Sequence, residues 1–283
     1  MRDRPSITAA WVAAARSFGV LLPENERLAD DPYGARFTRT TPLFRTPRLA
    51  RVIFPRRAIV YMQVRTRVID DAMLAFVREG GRQIVLLGAG FDCRALRFAR
   101  ELANATVFEV DHPATQAKKR AELAHDVGAK TEYVAWNFER DPMRELPAAL
   151  AAHGHDARER TLTIWEGVTM YLEPETIDAC VATVAEYSAE GSRLVFNFMT
   201  RERVRHPDLV MRVGARVVAA VGEPFRFGFE PRELGAWLAA RGFSLDRDAG
   251  FSELAAELIG PGALPRADDR HVAIATRRAG PRA

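Results

Sequence analysis

Apolar residues cluster in short blocks that are separated by longer stretches of mixed polarity. The blocks Gln83–Leu87, Thr106–Val110, Glu132–Ala135, Leu162–Trp165 and Leu194–Phe198 have the length of strands. Between them, helical stretches are predicted around Ala95, Thr115, Leu146 and Ile177. Strands that alternate with helices imply an α/β fold, a Rossmann-like doubly wound and mostly parallel sheet. Upstream, Ile59, Met62, Ile69, Met73, Phe76 and Val77 recur at helical spacing, which predicts a helix over Ile59–Arg78 with one buried face. A helix from Ser6 to Phe18 is expected with Ser6 as its cap, and Asp30-Asp31-Pro32 opens a shorter one. Three prolines between Pro42 and Pro55 suggest a loop-rich lid. Near the end, Pro231–Ala240 reads as a helix, and Phe243–Leu245 and His271–Thr276 read as two further strands, which bring the sheet to seven. So short a joining segment allows this last pair to be antiparallel.

At 283 residues and 48% hydrophobic content the chain can bury one sizeable core. The expected division is a helical cap over residues 1–58 and a catalytic domain over 59–283, with a cap insertion around 201–229. Cys93 and Cys180 lie far apart without ligand spacing, so neither a disulfide framework nor a zinc or other metal site is indicated. No apolar run reaches the length of a membrane span, and a soluble, cytoplasmic protein is expected. A net charge of +4 does not decide the class, but its distribution is uneven. From Pro32 to Ile69 there is no acid, while Arg36, Arg39, Arg45, Arg48, Arg51, Arg56, Arg57, Arg65 and Arg67 are basic. Such a segment either attracts an anionic small molecule or is simply a solvated face. Oligomeric state is not encoded in any pattern.

Three segments carry candidate chemistry. In Leu86-Leu87-Gly88-Ala89-Gly90-Phe91-Asp92 a buried strand ends in glycines, which let the backbone turn sharply and approach a ligand. Cys93 stands where a dinucleotide fingerprint has its third glycine, which points away from a pyrophosphate and towards a smaller adenosine cofactor. About 20 residues on, Val107-Phe108-Glu109-Val110-Asp111 is an apolar strand ending in acid, where a ribose diol would be accepted. Asp111 serves equally well as a cap for the helix that opens at Pro113. In Thr163–Leu172 the fourth strand runs into a loop at the carboxyl edge of the sheet, so Glu166 and Tyr171 are expected to face the crevice.

These segments, together with Gln63-Val64-Arg65-Thr66-Arg67-Val68-Ile69-Asp70, Asp31-Pro32-Tyr33 and Phe229-Glu230-Pro231, resemble the leucine carboxyl methyltransferase family along nearly the whole chain. That family includes protein phosphatase carboxyl methyltransferases and polyketide carboxyl O-methyltransferases. The resemblance implies a class I fold that binds S-adenosylmethionine. It implies that Arg65 meets the methionine carboxylate, that Gly88 and Gly90 line the amino acid part, that Asp111 takes the ribose and that Glu166 holds the amino group. Where many relatives carry Asp-Leu at the adenine edge this chain has Asn137-Phe138, which can bond the amine and pack on the ring. Asp30 replaces the lysine of the phosphatase enzymes, which argues against their substrate.

Methyl transfer from a sulfonium is a displacement in which positioning does most of the work. A carboxylate acceptor is already ionised at neutral pH, whereas a phenol needs a base such as His112 or His206. The expected reaction is therefore methylation of a carboxylate on a small, anionic molecule, with Tyr171 orienting the acceptor oxygen and Arg36, Arg39 or other cap arginines recognising its charge. The alternatives are phenol methylation, nucleic-acid methylation and cofactor binding without turnover. No Asn-Pro-Pro-Tyr-like run or aromatic and basic platform supports a nucleic-acid partner. His153 and His155, in a glycine-containing loop, are expected to be solvated.

Overall fold

The computed structural model describes residues 5–38, 55–207, 224–265 and 269–279. Seven strands form one sheet in the order β3-β2-β1-β4-β5-β7-β6. They are β1 (Gln83–Leu87), β2 (Thr106–Asp111), β3 (Lys130–Ala135), β4 (Thr161–Trp165), β5 (Arg193–Met199), β6 (Phe243–Gly250) and β7 (Arg270–Arg277). The first five run parallel, and β7 is antiparallel to both β5 and β6. The chain reverses between β1 and β4, so the crevice for a ligand opens at their carboxyl ends.

Helices cover both faces, which is why β1 and β4 are buried at every position and do not alternate with polar residues. Side chains from one face of the pleat, Ile84, Leu86, Val107 and Ile164, pack with α1 (Ile7–Ser17), α2 (Arg56–Arg78) and the helix Phe251–Leu258. Those from the other face, Val85, Leu87, Phe108 and Trp165, pack with the helices Leu146–Ala152, Pro174–Glu186 and Pro231–Ala239.

Three expectations change. The strand at Phe243 runs on to Gly250, with a register irregularity between Leu245 and Arg247. The segment joining it to β7 is not short but contains the helix Phe251–Leu258, whose Phe251, Leu254 and Ala255 are buried. The expected helix at Asp30-Asp31-Pro32 is a tighter 3-10 turn, Gly34–Thr38, with Asp31 Oδ1 accepting the backbone N–H groups of Tyr33 and Gly34. The boundary expected at residue 58 falls inside α2, and the proline-rich lid lies outside the described residues. No helix among the described residues is long and apolar enough to cross a membrane.

Candidate active site

A cavity of about 530 Å³ opens where the crevice was expected. Its floor is the turn after β1. Gly88 and Gly90 have φ of 74° and 52°, a left-handed conformation that favours glycine. A Cβ on Gly88 would lie 2.8 Å from Val168, so the close approach of the β1 and β4 loops also requires the missing side chain. Asp111, at the end of β2, fastens this turn: its carboxylate accepts the N–H groups of Gly90 and His112, each at 2.6 Å, and it still faces the cavity. Burial raises its pKa above the ordinary carboxylate value against the pull of those two N–H donors.

The neighbouring acid is used differently. Glu109 points under the helix Pro113–Glu122 and pairs with buried Lys119 at 2.6 Å, so of the two acids on β2 only Asp111 lines the cavity.

At the end of β4, Glu166 is clamped by two guanidiniums. Arg65 Nε donates to Oε1 and Arg94 Nη1 to Oε2, both at 2.7 Å, with all three side chains buried. Burial alone would raise the Glu166 pKa, but Arg94 and Arg65 outweigh it and hold the carboxyl well below the usual range. Arg94 also pairs with Asp92 and, at 2.7 Å, with Asp70, which Arg97 bonds from its other oxygen. Arg16 of α1 bonds Asp31 at 2.9 Å and the carbonyl of Phe91 in the glycine turn at 2.7 Å. The cap helix, α2, the glycine turn and the end of β4 are thus joined by four guanidiniums and four carboxylates. Sequence reading missed Arg94 and Arg16, because all their partners but Asp92 lie 15 or more residues away along the chain. Arg65 Nη2 is buried without a hydrogen-bond partner on the cavity wall. A buried donor of this kind fits a carboxylate ligand.

The β4 loop has its own support: Gly167 donates its N–H to Asn197 Oδ1 at 2.7 Å, and Thr169 Oγ1 donates to the Asn197 carbonyl at 3.0 Å. This leads to the turn Thr169–Tyr171, and Tyr171 lines the cavity as expected. Phe138 lines it too, but Asn137 does not, because its Oδ1 accepts the N–H of Glu139 within its own turn. Glu139 lines the cavity instead. The N-terminal wall comes from α1, through Ser6, Thr8, Ala9, Val12 and Arg16.

Two expectations fail at this level. Arg36 pairs with Asp126 at 2.5 Å and is not on the cavity wall, and Arg39 lies outside the described residues. His155 is buried, not solvated: it shares a hydrogen bond of 2.9 Å with Thr161 Oγ1 and packs edge-on to Phe108 and Tyr187. Burial lowers its pKa to about 4. His112 is spent as a helix cap, its Nδ1 accepting the N–H of Ala114, so it is no base for the cavity.

Residues 9–185 match the model of a family described as leucine carboxyl methyltransferase. A protein of Mycolicibacterium smegmatis, named "Putative S-adenosyl-L-methionine-dependent methyltransferase", is 34% identical over 218 residues, which cover 74% of this chain and 68% of the relative. A protein with the same description from Streptomyces coelicolor is 32% identical, over 93% of this chain and 88% of its own length. Among solved structures, a DUF574 family protein from Streptomyces avermitilis aligns with a TM-score of 0.61 at 19% identity, covering 94% of this chain and 97% of that one. A protein from Thermobifida fusca described as a "putative methyltransferase" aligns at 0.59 and 17% identity, covering 98% and 97%. These two likenesses bear on the fold alone.

Proposed function

This chain belongs to the leucine carboxyl methyltransferase family and is an S-adenosylmethionine-dependent methyltransferase; we propose that it methylates a carboxylate of a small molecule. One observation carries the choice of acceptor: among the described residues, the cavity wall holds no histidine or lysine, and Glu166 and Asp92 are held below the usual carboxylate range by arginines. Of the other acids on the wall, Asp111 is engaged by two backbone N–H groups at the end of β2 and Glu173 by Arg226, so this wall favours an acceptor that needs no base, and a carboxylate needs none.

In this reading Arg65 uses its unpartnered Nη2 to bind the carboxylate of the cofactor. Asp111 accepts the ribose hydroxyls, Gly88 and Gly90 let the backbone come close, and Phe138 packs on the adenine. The contact assigned to Asn137 passes to its neighbour Glu139, which lines the cavity. Glu166 fixes the orientation of Arg65 and holds the amino group with its remaining lone pairs. When bound, S-adenosylmethionine supplies an electrophilic methyl group that passes to the acceptor oxygen while its sulfur keeps the bonding electron pair. Tyr171 orients that oxygen. Of the expected cap pieces, the described residues that line the cavity, Ser6 to Arg16 on one side and Pro224 and Arg226 on the other, keep water away, and this exclusion strengthens each charged contact in the cavity.

The test is turnover of matched acids, amides and phenols by the purified protein, with the product identified by mass spectrometry and by alkaline hydrolysis, which cleaves esters and leaves ethers. Methyl esters from the acids are expected. Ready methylation of neutral phenols with none of the acids would refute the reading.

A further inference from the structure

The cap arginines were the sequence-level candidates for recognising an anionic acceptor, but three of them are engaged elsewhere and Arg57 is exposed and not on the cavity wall. Arg36 pairs with Asp126, Arg56 with Glu26 and Arg67 with Asp71. Three arginines line the cavity among the described residues: Arg16, Arg65 and Arg226. The first two are buried in the ion-pair network, and Arg226 is not; its side chain is 46% exposed.

The setting of Arg226 is built, not incidental. Its backbone N–H donates to the carbonyl of Met170 at 2.8 Å, which ties the segment to the turn that carries Tyr171. The preceding Phe225 stacks on Tyr171, with ring centroids 5.4 Å apart and planes at 18°. Three residues on, Phe229 N–H donates to the carbonyl of Met199 at 3.0 Å, and its own carbonyl accepts from Arg201, so the segment is stitched to the end of β5 as well. Arg226 is therefore held at the mouth of the cavity beside an aromatic wall. Its partner there is Glu173, itself 52% exposed and also on the cavity wall. An exposed pair contributes little, so an incoming anion can replace Glu173 at small cost.

We infer that Arg226 is the specificity-determining residue for the acceptor. It receives an anionic group that is distinct from the reacting oxygen, with the planar body of the acceptor lying against the Tyr171 wall and Glu173 holding the guanidinium until then. The acceptor class is a planar molecule with two anionic groups, one methylated and one seated at the mouth. This rests on the carboxylate reading of the preceding section.

The experiment uses the full chain, saturated with S-adenosylhomocysteine and titrated calorimetrically with terephthalate, its monoamide and its diamide. The same three compounds are then assayed for turnover with S-adenosylmethionine. Terephthalate is expected to bind at least about tenfold tighter than the monoamide, and Arg226→Gln to erase that difference. Glu173→Gln should tighten terephthalate roughly two- to fivefold by removing the competitor. Affinity for S-adenosylhomocysteine is expected to be unchanged in both variants, which reports an intact fold. The inference is overturned if Arg226→Gln binds terephthalate as the wild type does, if the diamide binds as well as the diacid, or if no acid binds. Equal turnover of monoamide and diacid in wild type and Arg226→Gln leaves the ester reading standing and removes Arg226. Binding of the diacid through Arg226 with no ester formed does the reverse.

Discussion

Glu166→Gln tests the clamp at the centre of the site. The wild-type carboxylate takes one charged hydrogen bond from Arg65 and one from Arg94, and none of the three side chains exceeds 8% exposure. The amide is nearly the same size, so packing is conserved, but it has one acceptor oxygen where there were two. Its NH2 group faces a guanidinium, donor against donor, and a buried positive charge loses its counter-ion. Breaking a buried pair from one side costs about 3–5 kcal/mol. The retained oxygen places the expected loss near the lower end. With an unfolding entropy of about 2.1 cal/mol/K per residue, 283 residues give about 0.6 kcal/mol/K, so Tm should fall by about 5–6 °C. Calorimetric melting of the free protein reads this directly. Because the folded pKa of Glu166 is depressed, its contribution is fully present above the ordinary carboxylate value and is lost progressively as pH falls from there through the lower folded one. The wild-type advantage over Glu166→Gln should therefore persist down to about pH 5 and shrink steadily below it. Cofactor affinity should weaken in the same variant, while kcat at saturating cofactor keeps the wild-type pH profile. A Tm within about a degree of wild type would refute the clamp. Normal cofactor binding with a steeply pH-dependent loss of turnover would make Glu166 a base.

Asp111→Ala removes the ribose acceptor and should weaken S-adenosylmethionine about 10- to 150-fold by titration calorimetry. Since burial raises the Asp111 pKa in the free protein, affinity in the wild type should begin to fall on acidification above the ordinary carboxylate range, and Asp111→Ala should lack that step. Gly88→Ala places a Cβ at φ 74° and 2.8 Å from Val168, and should cost about 1–2 kcal/mol in denaturant titrations and weaken cofactor binding. His155 is kept neutral by burial, with a pKa of about 4 against about 6.5 when unfolded, so stability should fall as pH drops through that window by up to about 3 kcal/mol. His155→Phe should flatten that slope, and an unchanged slope would show that other groups carry it.

The legible part of the fold was the part set by local periodicity. Gln83–Leu87 is a strand with the expected bounds, and the other four parallel strands differ from expectation by at most two residues at an end. The helix Phe251–Leu258 escaped notice: its buried face needs only Phe251, Leu254 and Ala255, too few apolar positions to stand out. In the site, Gly88, Gly90, Asp111, Glu166 and Tyr171 were visible because strand ends bring them to one edge of the sheet, and all five line the cavity. Asn137 sits at such an end too, but its side chain closes its own turn, and strand position does not determine where a side-chain oxygen finds its donor.

Charge was the least legible property. The arginine-rich stretch from Pro32 to Ile69 looked like one basic surface, yet Arg36, Arg56 and Arg67 each meet an acid, and only that of Arg67 is near in sequence. Arg94 meets Asp70 and Glu166, which are 24 and 72 residues away. The sequence by itself determined where strands and turns form, since backbone preference and apolar spacing act over a few residues. Only the tertiary structure decided which charges neutralise one another and which face the cavity. Pairing energy depends on distance and burial in space, and chain separation carries neither.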